Sequence, residues 1–239
     1  MTGKRAGTPA GVPEGTRMLS RRNLLAATAS TPLMLTGCAG RLLNSGEAPR
    51  LFSLSPATEF TAGLPRVEWQ LLVETPLAHS GIDSTRIALL QASNELNYYS
   101  NANWIDTAPE MVQQFLVESF ENTNRIVSVG REATGLRSDF VLKTDLRDFQ
   151  AEYGSGDISS TAPTVHVRLA CKLVRMPRRN IVASDTFTAR VRADSSRLVD
   201  IIAAFDNALE AAMRRAVEWT LRQGASNVQT DPLPQQPAV

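Results

Sequence analysis

Two cysteines and two histidines in 239 residues leave little room for a framework built on covalent or metal links. Cys38 and Cys171 make no disulfide scaffold once the first is assigned elsewhere, as argued below. His79 and His166 would need supporting ligands at suitable spacing to hold a metal or to work in a triad, and no H-E-x-x-H motif provides them. The chain also lacks a G-x-S-x-G elbow, a P-loop and a G-x-G-x-x-G fingerprint. No unit of 20–50 residues repeats, which excludes a solenoid. No segment beyond the N-terminal leader approaches the roughly 20 apolar residues of a membrane-spanning helix.

The leader itself is short, basic and then apolar. Arg21 and Arg22 precede a run from Leu24 to Leu35 broken by Pro32, and Leu35-Thr36-Gly37-Cys38 closes it. That order reads as a removable signal over 1–37 with a lipobox, so that Cys38 becomes the first mature residue and carries covalent lipid, acyl groups such as palmitate included. Arg21 and Arg22 fit a twin-arginine signal and the basic region of a general secretory signal equally well. The breaker-rich stretch before Met18 leaves open whether Met18 is the true start. Residues 38–50 read as the lipidated Cys and a flexible tether, whose twelve residues from Ala39 to Arg50 reach at most about 40 Å.

Charge narrows the partners. The leader holds five of the 25 basic residues and one of the 24 acidic ones, which leaves 20 against 23 in the mature chain. A slightly acidic domain argues against nucleic acid or anionic membrane as the main partner. Arg175, Arg178 and Arg179 around Pro177 read first as a solvated hairpin turn.

Periodicity predicts one domain over 51–224. Leu51–Leu54 is a short strand, and Val67, Trp69, Leu71 and Val73 alternate as a half-buried one. Runs at 86–91 and 95–99 predict a hairpin. Thr107 and Glu110 form a capping-box pattern for a helix over 108–122, with Pro109 early in its first turn. A strand through 126–129 follows, then one from Phe140 to about Tyr153. Val165, Val167, Leu169, Cys171 and Leu173 pair as a long antiparallel hairpin with Ile181–Arg192. A last helix, capped by Asp194 or Ser195, carries an apolar stripe from Leu198 to Ala216 and should end at Gly224. Residues 225–239 read as a disordered tail. The fold class expected is α/β, a single layered domain with a mixed, largely antiparallel sheet packed by two main helices.

Catalytic and metal residues are expected to be absent. Cys171 alternates into the core, His166 belongs to the polar face of its strand, and His79 falls in a loop. Asp145 and Asp148 should point to opposite faces of their strand, which disfavours paired acid–base work. The candidate partner or lipid patch is Leu96, Tyr98, Tyr99 and Trp104 beside a polar loop at Asn101 and Asn103, with Trp219 near the end of the last helix.

Taken in order, these motifs resemble the ABC-type transport auxiliary lipoproteins, the PqiC/YmbA-like group. The residues that carry the resemblance are Cys38, Leu51-Phe52-Ser53-Leu54, Leu72-Val73-Glu74-Thr75-Pro76, Arg86-Ile87-Ala88, and Leu96-Asn97-Tyr98-Tyr99 with Trp104 and Pro109. They continue through Asp139-Phe140-Val141-Leu142, Asp148 to Tyr153, Ala204 to Leu209 and Trp219. Many relatives have Tyr where this chain has Phe52. The resemblance implies a non-enzymatic lipoprotein on the periplasmic face of the envelope, at the outer membrane, that docks an MCE-domain protein with its permease and ATPase in lipid transport. It implies no cofactor beyond the lipid on Cys38, names phospholipid as a further contact, and admits rings and monomers alike. The competing readings are a lipid-anchored envelope hydrolase and an assembly factor of another export system.

Overall fold

The computed structural model describes residues 48–131, 138–154 and 158–231. In chain order the strands are β1 (Arg50–Phe52), β2 (Val67–Val73), β3 (Leu77–Ala78), β4 (Arg86–Leu90) and β5 (Leu96–Trp104). Helix α1 (Ala108–Asn122) follows, then β6 (Ile126–Gly130), β7 (Phe140–Glu152), β8 (Thr164–Arg175), β9 (Asn180–Arg192) and α2 (Leu198–Thr230).

The thirteen residues of β7 organise the sheet. Along one edge β7 pairs in parallel with β2, β3 and β4 in succession, and along the other it pairs antiparallel with β8. The sheet therefore forks. Strand β2 leads to β6, β4 leads to β5 and β1, and β8 leads to β9. The long ladders, β7–β8 and β8–β9, are antiparallel, while the parallel ladders are short. This is the expected mixed α/β layer with two helices.

Both helices pack on one face. Helix α2 lies against β8 and β9 and touches β7 and β2, and α1 rests on β6, β2 and α2. Val165, Val167, Leu169, Cys171 and Leu173 are buried under α2, as the alternation in β8 predicts. The rings of Trp104, Phe149 and Phe205 meet at 5.2–5.6 Å between centroids, joining β5, β7 and α2.

Three helix ends differ from expectation. Thr107 holds the N-cap of α1 but its hydroxyl makes no capping bond; Asp106 Oδ1 accepts the Thr107 N–H at 2.7 Å instead. Helix α2 does not stop at Gly224, so residues 225–230 are helix rather than tail. Gly224 is there because the helix touches the sheet: a Cβ would lie 2.4 Å from Trp69 Cζ2. Ala225 and Val228 continue the apolar contact beyond it. The start of α2 is Arg197, whose N–H donates to Ser195 Oγ at 3.1 Å, while Asp200 in the first turn bonds both residues. Among the described residues no helix is long and apolar enough to cross a membrane. Arg21, Arg22, Leu35, Gly37 and Cys38 lie outside the described residues, as do positions 232–239.

Candidate interaction surface

The aromatic patch read from the sequence is taken apart by a bulge in β5. Arg86 pairs with Asn103 but Ala88 pairs with Tyr98, so β5 gains residues around Ser100–Ala102, and Asn101 adopts a left-handed φ of 54°. Asn101 and Asn103 are therefore strand, not loop. Trp104 turns into the core, 1% exposed, and cannot join a surface patch. Tyr99 faces the helix side, where its hydroxyl and that of Tyr153 stand 2.8 Å apart. Burial, and next that hydrogen bond, push the Tyr99 phenol above its usual range.

Leu96 and Tyr98 remain on the outer face, away from the helices. The Tyr98 ring carries the Arg86 guanidinium 3.5 Å from its centroid, and its hydroxyl donates to Gly81 O at 3.0 Å. Residues 79–85 thus fold over this end of the sheet, where the Gly81 N–H donates to His79 Nδ1 at 3.2 Å. Trp219 is elsewhere: on α2, half-buried against Phe187 of β9 with centroids 5.6 Å apart. The five residues fall in four separate places.

A second bulge assembles a cluster that strand alternation had ruled out. Leu146 pairs with Leu169 and Asp148 with Arg168, so Arg147 is the extra residue and the parity of β7 changes there. Asp145 and Asp148 consequently share the outer face. Asp148 contacts Arg168 directly and lies 4.0 Å from His166 Nε2. His166 Nδ1 is 2.7 Å from Glu152 Oε1 and 3.0 Å from Arg190 Nη2, and Arg190 bonds Glu152 at 2.8 Å. Asp145 faces Lys172 at 3.8 Å. Each carboxylate has its own cation, so the group is an ion-pair lattice rather than an acid–base pair. His166 is 6% exposed, more buried than a polar strand face suggests. Among the described residues no three His, Cys, Asp or Glu side chains are grouped as metal ligands.

A third feature was invisible in the sequence. The segment after β1 is strapped to both helices by side chains distant in sequence. Ser55 N–H donates to Asp206 at 2.6 Å, Ala57 N–H to Ser119 at 2.9 Å and Thr61 N–H to Glu218 at 2.8 Å, and Asn122 donates to Ala57 O at 3.0 Å. Burial disfavours the charge on Glu218, but the bonds from Thr61 and the nearby Arg222 and Arg214 outweigh it and hold its carboxyl below the usual range. The segment after β1 is thus fastened to the body of the domain between Ser55 and Thr61.

A forked mixed sheet with helices on one face, an ion-paired outer face and a segment after β1 strapped to both helices define a layered α/β domain. The sequence model of the ABC-type transport auxiliary lipoprotein component family matches residues 51–230, and the chain belongs to that family. A crystal structure of protein XCC0632 from Xanthomonas campestris is 32% identical, with a TM-score of 0.70 over 75% of this chain and 99% of that one. The PelC dodecamer from Paraburkholderia phytofirmans (10% identity, TM-score 0.36, 71% of this chain and 92% of that one) is a remote likeness. So is a lipoprotein structure from Caulobacter crescentus (13% identity, TM-score 0.36, 64% and 97%). No curated protein matches the sequence. The chain is therefore an auxiliary component of ABC-type transport, of a lipoprotein family associated with the cell envelope.

Proposed function

We propose that this chain is the periplasm-facing lipoprotein accessory of an MCE-type ABC lipid transport system, without enzymatic activity of its own. Lipid on Cys38 holds it to a membrane, the outer membrane's inner face, and the domain docks the MCE-domain protein served by a permease and an ATPase. The observation that carries the reading is the family match over 51–230, which begins thirteen residues after the lipobox cysteine. The strap of Ser55, Ala57 and Thr61 onto the helices supports it, because a docking load on the domain would pass to the anchor through bonded chain. The pairing of Asp148 with Arg168 and of Glu152 with Arg190 supports docking over hydrolysis, since a general base must be free to take a proton.

Affinity capture of the tagged full chain from solubilised membranes tests this. The MCE protein and its ATPase should co-purify, and Cys38→Ala should move the chain from the membrane to the soluble fraction. Recovery of neither protein, together with a hydrolytic activity lost on changing one polar residue, would overturn the proposal in favour of an anchored enzyme.

A further inference from the structure

The outer face carries an apolar row at the end of the sheet away from Tyr98. Register aligns Leu72 with Val141, Val141 with Val174, and Val174 with Ile181. One aliphatic side chain from each of four neighbouring strands, β2, β7, β8 and β9, thus stands in line. Four strands span about 14 Å at roughly 4.8 Å per spacing. Ile181 joins the row through a bulge. Leu173 pairs with Ala183 but Val174 with Ile181, so Val182 is the extra residue, and a regular strand would have turned Ile181 to the helix side. Val141 and Val174 are 5% exposed and form a floor, while Ile181 is 61% exposed and stands as a wall.

The row floors a groove of about 390 Å³, within the roughly 300–1,000 Å³ of small-molecule sites. The backbone groups beneath it are consumed in the ladders, so the floor offers carbon and few hydrogen-bond partners. That suits a hydrocarbon chain and disfavours a peptide, whose own backbone would be left unsatisfied. The charged groups sit at the rim. Lys143 is neutralised by Glu74 on one side. On the other, Arg179 of the β8–β9 turn is exposed and forms no ion pair or side-chain hydrogen bond among the described residues. A guanidinium left unpaired at one end of an apolar groove selects an anion there.

We infer that this groove binds one anionic phospholipid, with an acyl chain laid across Leu72, Val141, Val174 and Ile181 and the phosphate against Arg179. The inference does not rest on the transporter reading: it concerns the chain alone, and its failure would leave the co-purification result standing.

The test is a calorimetric titration of the full chain carrying Cys38→Ala, so that no covalent acyl group competes, with lysophosphatidylglycerol below its micelle concentration and with lysophosphatidylcholine alongside. One molecule should bind per chain, at least tenfold tighter for the glycerol headgroup. Ile181→Asp should weaken both lipids tenfold or more. Arg179→Asn should remove most of the headgroup preference and leave the choline lipid's affinity unchanged; asparagine is chosen because Arg179 has a φ of 57°, which it tolerates. Unchanged thermal unfolding of both variants shows that the fold is kept. The inference is overturned if monomeric lipid does not saturate, if Ile181→Asp binds normally, if the two headgroups bind alike, or if binding occurs only to vesicles.

Discussion

Cys171 shows how far one residue can be read before the fold is known. Its place in the alternation of β8 put it in the core, and it is 1% exposed there, beside Thr144. Burial pushes the thiol up to about 12, with the Thr144 bond opposing and the Asp145 and Asp185 charges adding to the rise. Each unit is a factor of ten in thiolate, so the native chain should carry roughly a thousandfold less of it at pH 8 than a free cysteine. In the Cys38→Ala chain, iodoacetamide at pH 8 should therefore leave Cys171 unmodified in the native state and label it promptly in denaturant. Equal labelling rates would show that the strand opens readily. Trp104 and His166 were not legible in this way. Each belongs to a strand whose local pattern reads correctly, but the bulge and the cross-strand partners that set their environments come from other parts of the chain.

Elements were legible where periodicity ran unbroken. The limits of α1, the β8–β9 hairpin and the stripe of α2 all follow from patterns of 2.0 or 3.6 residues. Periodicity failed where residues are added, one at Arg147, one at Val182 and three around Asn101, because an odd insertion reverses parity without changing composition. It also failed at Gly224, whose role in closing a helix and whose role in admitting a tryptophan leave the same letter in the sequence. The two are separable by substitution. Gly224→Ala would gain about 1 kcal/mol of helix propensity were the site open. Against the Trp69 ring, 2.4 Å from the new Cβ, it should instead destabilise by about 1–3 kcal/mol, measured as a lowered midpoint in urea. A stabilised variant would mean that α2 can lift from β2 without loss.

At the scale of the whole molecule, the two faces of the sheet divide the work. The helix side holds the core, and the outer side holds the ion-pair lattice and the apolar row. The segment after β1 is bound to the helices, with Glu218 at its far point accepting the Thr61 N–H. Because that carboxyl titrates lower in the folded chain than the roughly 4.3 of a free glutamate, its contribution is present above that value and is lost as pH falls through the folded one. Glu218→Gln should thus lower stability at pH 7 and flatten its decline below pH 4. Limited proteolysis should also cut the variant faster between Ser55 and Thr61. A variant with the same acid profile as the parent would show that the strap carries no stability.

The amino-acid sequence by itself determined the order of strands and helices, the family and most of the core, because each rests on local pattern or on motifs in series. Tertiary structure decided which residues share a surface. The aromatic group of Leu96, Tyr98, Tyr99, Trp104 and Trp219 was dispersed, whereas Leu72, Val141, Val174 and Ile181, separated by as many as 109 positions, were brought into one line. The reason is register: face and neighbour across a sheet depend on pairing between distant strands, and one inserted residue reassigns both.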